Sequence, residues 1–271
     1  MEQTKQPIFI TVSMLKGGVG KTDIAFNLAM WLALQKDKKV LGIDIDENCN
    51  FSQVMNVYDQ EGTVANILQG SGDVKVHNIN DNVDLIAGFN RLYDVQEAMS
   101  TSEKKTMMLY MWLDDNFEAL NLSQYDFVII DTHNDFGTAT KNAIACSHVI
   151  LSPVIPVNFS DSITMQERLD EFKSDVIDFR TRESYITAEL KLIGNMVKRT
   201  SSNSSEFSNF VKNNDDFIAM FPFLEIFNTS IQKKTPIFEL LKKPQSKTER
   251  EFIPEFEKNM NSIYEVVKQY Q

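Results

Sequence analysis

One short stretch constrains this chain more than any other: Leu15-Lys16-Gly17-Gly18-Val19-Gly20-Lys21-Thr22. The apolar run Ile8-Phe9-Ile10-Thr11-Val12 leads into it, and Ile24 to Leu32, which reads as a buried helix, leads away. Strand, glycine loop, helix is the layout that cradles phosphate. Glycines let the backbone turn tightly enough for successive N–H groups to aim at one anion. The helix adds the positive end of its dipole. In this arrangement Lys21 reaches the β- and γ-phosphates and the Thr22 hydroxyl holds magnesium. Asp23, in the first helical turn, suits the dipole. It would repel phosphate if it faced the anion, so its carboxylate is expected to point away while its N–H contacts the α-phosphate.

Carboxylates recur where other strands end. Val40 to Asp46 reads as a buried parallel strand with the carboxylates Asp44 and Asp46 at its end, and Phe127-Val128-Ile129-Ile130 runs into Asp131. Strand ends are where α/β proteins place ligand groups. Further strands are expected at Val83 to Ala87, His148 to Leu151, Leu190 to Val197 and Phe221 to Phe227. Helices are expected at Phe51 to Tyr58, Thr63 to Leu68, Lys104 to Leu122, from Asp161, at Ile231 to Leu241 and at Lys247 to Tyr270. Ser201 to Ser205 reads as a polar loop or helix start. The alternation predicts an α/β fold, a mostly parallel twisted sheet with helices on both faces. With 271 residues, no internal repeat and no long linker, residues 1–271 are expected to form one domain. Only seven residues precede the first strand, so no DNA-binding extension is expected ahead of it.

Charge narrows the partners. A net charge of −11 argues against binding nucleic acid by bulk charge. Residues 191–250 depart from that balance, with ten Lys/Arg against six Asp/Glu. Lys198, Arg199, Lys233, Lys234, Lys242, Lys243 and Lys247 lie there, enough for a local phosphate-binding patch, although scattered solvated lysines would read the same way. Cys49 and Cys146 make no disulfide framework and point to a reducing cytoplasm. Ile8 to Leu15 is too short for a secretory signal, and no apolar run is long enough to span a membrane.

The glycine loop departs from G-x-x-x-x-G-K-[ST]: Leu15 stands where the first glycine belongs, and Lys16 precedes the glycine pair. Lys16 to Thr22 instead resembles K-G-G-x-G-K-[ST], the deviant Walker A motif of the ParA/MinD family of ATPases. Val40 to Asn50 resembles that family's first switch segment, with Asn48 near the usual glutamine, and Asp131 its Walker B aspartate. The resemblance implies a P-loop NTPase fold of the deviant Walker A type, with ATP and Mg2+ as cofactors. It implies that Gly17, Gly18, Val19, Gly20, Lys21, Thr22 and Asp23 hold the phosphates, that Thr22, Asp44 and Asp131 serve the metal, with Asp44 also supporting the loop, and that Asp46 positions the attacking water. Lys16 would reach across a dimer interface to the partner's phosphates, and Asn195 would read adenine. The family's second switch usually continues D-x-P-P. Here Thr132-His133-Asn134-Asp135 follows Asp131, so a more mobile loop is expected, with His133 replacing a proline and taking no chemical part.

The same resemblance implies function. A partition ATPase of the ParA type dimerises on ATP, binds nonspecific DNA on the nucleoid in the cytoplasm, and hydrolyses ATP slowly until a centromere-binding ParB-like partner stimulates it. The alternatives are a MinD-like spatial regulator or a relative acting on a small substrate. The first needs a basic amphipathic tail, and the acidic run from Glu251 to Glu257 argues against membrane binding.

Overall fold

A computed structural model describes residues 5–157, 160–198 and 202–271. In chain order the elements are β1 (Ile8–Val12), α1 (Lys21–Gln35), β2 (Val40–Ile45), α2 (Asn50–Val54), α3 (Val64–Gln69), β3 (Val76–Asn80), β4 (Val83–Ile86), α4 (Leu92–Ala98), α5 (Met108–Asp115), β5 (Phe127–Thr132) and α6 (Thr138–Cys146). There follow β6 (Val149–Val154), α7 (Asp161–Asp175), β7 (Glu189–Val197), α8 (Ser202–Lys212), β8 (Phe217–Pro222), α9 (Glu225–Lys233), α10 (Ile237–Leu240) and α11 (Lys247–Val267). The strands form one sheet in the order β3-β4-β2-β5-β1-β6-β7-β8. Among the described strands of this sheet, only the β3–β4 pair is antiparallel.

β2, β5 and β6 are buried along their whole length. That is the pattern of central parallel strands covered on both faces, and it explains why they read as continuous apolar runs. α1 carries apolar residues around most of its circumference because it is enclosed. Trp31 meets Phe238 and Phe256 edge-on at 5.8 Å each. Its buried Asn27 takes the N–H of Ile237 at 2.7 Å and donates to the Asp23 carbonyl at 2.9 Å. The helix after the glycine loop is thereby pinned to the carboxyl-terminal part of the chain. The apolar face of α11, Phe252, Phe256, Met260, Ile263 and Val267, is buried in the same core. Among the described residues, no helix is long and apolar enough to cross a membrane.

Several sequence expectations shift. The final strand is Phe217–Pro222, and the stretch expected to extend it to Phe227 instead starts α9. The long helix expected over Lys104 to Leu122 is regular only at Met108–Asp115. β3 and α4 were not expected. β3 is an exposed edge strand of mixed polarity, VHNIN, without the apolar run that marks the central strands.

Candidate functional site

The site lies at the carboxyl ends of β1, β2 and β5, which are adjacent in the sheet. A cavity of about 480 Å³ opens there, lined by Gly17 to Asp23, Asp46, Asn48, Asn134 and, on its outer side, Tyr58 and Lys234.

The glycine loop is shaped by two left-handed residues, Gly18 at φ 71° and Gly20 at φ 89°. A side chain is strained at either. At Gly20 it is also obstructed, because a Cβ would come within 2.4 Å of the Asn195 Nδ2. Asn195 is 2% exposed, and its Nδ2 donates to the Val19 carbonyl at 2.8 Å. One of the two N–H donors of the amide expected to read adenine is therefore used in bracing the loop. Its strand end lies so close to Gly20 that the amide meets backbone first.

Lys21 is buried at the first position of α1. Burial lowers its pKa, while Asp131, Asp46 and Asp135 oppose that effect. Thr22 Oγ1 donates to Asp131 Oδ2 at 2.7 Å. The other oxygen, Asp131 Oδ1, is buried with no hydrogen-bond partner. Burial, with the neighbouring Asp44 charge next, raises the Asp131 pKa well above its ordinary value. A buried, unpartnered carboxyl oxygen beside a hydroxyl is a donor set suited to a hard divalent cation. Among the described residues, no group of three or more His, Cys, Asp or Glu side chains could hold a metal by itself.

Asp44 does not join that set. Asp44 and Asp131 are register partners on adjacent strands, but Asp44 Oδ2 accepts from both the N–H and the hydroxyl of Ser52 at 2.7 Å, and Oδ1 accepts from the Asp46 N–H at 3.2 Å. Its oxygens fasten the turn after β2 to α2, the loop-supporting part of the role the resemblance implied. Burial pushes its pKa up to about 6 even so. The signal for this was Ser52, a small hydroxyl at the start of a helix that buries its inner face.

Asp46 is only 6% exposed and borders the cavity. Its Oδ1 accepts from the Asn48 N–H and Asn48 Nδ2, each at 2.9 Å, and lies 2.9 Å from His133 Nδ1. His133 therefore does more than fill a proline position. The loop expected to be more mobile carries side-chain hydrogen bonds of its own. Thr132 Oγ1 donates to the Val12 carbonyl at 3.1 Å, and Asp135 Oδ1 accepts from the Gly137 N–H at 2.9 Å and Thr140 Oγ1 at 3.1 Å.

Asp23 is half-buried and borders the cavity. Its Oδ1 is buried without a partner, Oδ2 lies 3.6 Å from where a Gly20 Cβ would sit, and burial pushes the carboxyl up to about 6. Lys16 does not line its own cavity. It lies 3.9 Å from Asp161 at the start of α7, with its side chain 36% exposed.

The basic residues of 191–250 are partly engaged. Lys242 pairs with Glu239 at 2.6 Å and Lys247 with Glu251 at 3.5 Å. Lys198 sits 5.1 Å from the Phe223 ring centre. Lys234 donates to Asn56 Oδ1 at 2.7 Å and to the Tyr58 hydroxyl. Arg199 lies outside the described residues, as does Ser201.

A left-handed glycine loop at the end of the first strand, a buried lysine and threonine opening the next helix, and a carboxylate from β5 define a phosphate-binding-loop protein. The AAA domain family matches residues 8–176. An uncharacterised protein of Methanocaldococcus jannaschii is 30% identical over 207 residues, spanning 73% of this chain and 75% of its own. The chromosome-partitioning ATPase Soj of Thermus thermophilus is 31% identical over 145 residues, spanning 54% of this chain and 53% of its own. The match thus covers about half the length of that relative. In fold, the chain is similar to a plasmid partition protein from Borrelia burgdorferi (TM-score 0.70, 22% identity, 89% of this chain and 100% of that one). It is also similar to a McdA–ATP complex of Cyanothece (TM-score 0.77, 20% identity, 98% and 96%). The chain belongs to the ParA/MinD-type P-loop ATPases.

Proposed function

We propose that this chain is a partition ATPase that binds Mg-ATP, dimerises around it, holds nonspecific DNA in that state, and releases it on slow hydrolysis stimulated by a centromere-binding ParB-like partner. The observation that carries the ATPase part is the Thr22–Asp131 pair, 2.7 Å apart at the mouth of the glycine cradle, with the second Asp131 oxygen buried and unsatisfied. Thr22 and Asp131 would hold Mg2+, together with phosphate oxygens, in the way this cation is usually bound. The ion would neutralise charge developing between the β- and γ-phosphates.

The chain's own residues do the remaining work. The Gly17 to Thr22 backbone and the Lys21 ammonium hold the phosphates. Asp46, at the rim, orients the attacking water. Phosphoryl transfer is chiefly positioning and charge stabilisation, so no strong base is needed. Lys16 lies beside its own cavity without lining it, which favours a role on the phosphates of a second copy. DNA contact is assigned to the basic segment of residues 191–250, without choosing among its lysines. The chromosome-partitioning Soj relative and the Borrelia partition protein support this choice within the family. Burial of the apolar face of α11 leaves that face without a membrane role, which favours partition over a MinD-like cycle. The reading takes residues 1–271 as one ATPase domain working at the nucleoid in the cytoplasm.

The test is ATP-dependent binding to random-sequence DNA over a salt series. Binding with Mg-ATP that weakens steadily with salt is expected. No binding at low salt with Mg-ATP would sink the partition reading while leaving the ATPase reading intact.

A further inference from the structure

Asp46 Oδ1 has an unusual set of neighbours. Two donors come from Asn48, on its own loop, and the third contact is His133 Nδ1 at 2.9 Å, 87 residues away on the loop after β5. A carboxylate only accepts, so the His133 ring carries its proton on Nδ1 in this contact. Asn48 Nδ2 also lies 3.5 Å from the same ring nitrogen. Three donors on one oxygen fix the plane of the carboxylate. Oδ2 takes no hydrogen bond from the described residues, so it is the oxygen available to a water in the cavity that Asp46 lines. The His133 side chain is 26% exposed and that of Asp46 is 9% exposed, so the contact is formed at the cavity rim and largely out of water.

The neighbouring groups leave His133 as the cross-loop holder. Thr132, the preceding residue, is directed back to the Val12 carbonyl, and Asp135 is directed forward to the start of α6. Asn134 packs on the glycine loop, its Nδ2 3.1 Å from where a Gly17 Cβ would lie. Of this loop, His133 alone reaches the segment after β2 through a side-chain hydrogen bond among those described.

We propose that His133 is a positioning residue for hydrolysis. Its Nδ1–H holds Asp46 so that the free carboxylate oxygen meets the attacking water, and it makes the loops after β2 and β5 move as one. His133 takes no proton from water in this scheme. The inference rests on Asp46 being the water-orienting residue of an ATPase.

The test compares steady-state ATP hydrolysis of the wild type with three variants. Asparagine places an amide N–H where Nδ1 was, glutamine reaches to the Nε2 position, and alanine supplies neither. His133→Ala is expected to lower kcat roughly 10- to 100-fold, the usual scale for a misplaced reacting group, with KM, ATP affinity and melting temperature unchanged. His133→Asn should recover most of kcat, whereas His133→Gln should behave like alanine. Wild-type kcat in His133→Ala would overturn the inference, and so would equal failure of the asparagine and glutamine variants, which would point to the ring as a base. A rise in KM alone would assign His133 to nucleotide binding instead. A wild type that binds but never hydrolyses ATP would remove the ATPase reading itself, an outcome distinct from all of these.

Discussion

Replacing Gly20 by alanine separates backbone strain from side-chain collision in the phosphate loop, because Gly18 is a built-in control. Both glycines are left-handed, at φ 71° and 89°, but a Cβ at Gly18 meets nothing within 4 Å while one at Gly20 comes within 2.4 Å of Asn195 Nδ2. Gly18→Ala should therefore cost only the left-handed penalty, roughly 1–2 kcal/mol. Gly20→Ala carries that penalty and also expels the Asn195 amide, which breaks its 2.8 Å bond to the Val19 carbonyl. Loss of a buried hydrogen bond adds about 1–3 kcal/mol, for a total of roughly 2–5 kcal/mol. Asn195→Ala alone should cost about 1–3 kcal/mol by the same bond. The double variant should then fall short of the sum, since that bond can be lost only once and alanine at 195 makes room for the new Cβ. Urea unfolding of the wild type and the four variants measures this. Equal losses at Gly18 and Gly20, or an additive double variant, would refute the argument.

Two further substitutions probe the same loop. Asp23 has a folded pKa of about 6 because of burial, above the unfolded value of about 3.9. The stability it confers when protonated is complete below about pH 4 and is lost as the pH rises through 6, a swing of roughly 3 kcal/mol. Asp23→Asn, which stays neutral, should thus gain on the wild type above pH 6 and lose that gain near pH 4; a pH-independent difference in urea midpoints would contradict the burial argument. Lys16→Ala removes a half-exposed pair at 3.9 Å, worth about 0–1 kcal/mol, so folding should be intact while hydrolysis at dimer-forming concentrations falls. Normal hydrolysis in this variant would show that Lys16 does not act on the phosphates of a second copy.

The parts of this site legible in the sequence are those made by local backbone or by strand ends. Gly18 and Gly20 announce left-handed turns, and buried runs ending in Asp46 and Asp131 announce strands whose carboxyl ends meet. What could not be read were contacts between distant segments. Asp44 and Asp46 look equivalent two residues apart, and only the position of Ser52 assigns one to structure and leaves the other at the cavity. Asn195 suits base reading in type, but the fold puts it against Gly20. His133 looked like a missing proline because its partner is 87 residues away. β3 went unseen because an exposed edge strand needs no apolar run.

The account turns on Asp46 orienting the water while the glycine loop and Lys21 hold the nucleotide. Single-turnover hydrolysis of bound ATP by Asp46→Ala measures this most directly, alongside its ATP affinity. The expected result is ATP bound as tightly as by the wild type, hydrolysis lost, and the protein held in its ATP-bound dimer. Hydrolysis at the wild-type rate in Asp46→Ala would contradict it.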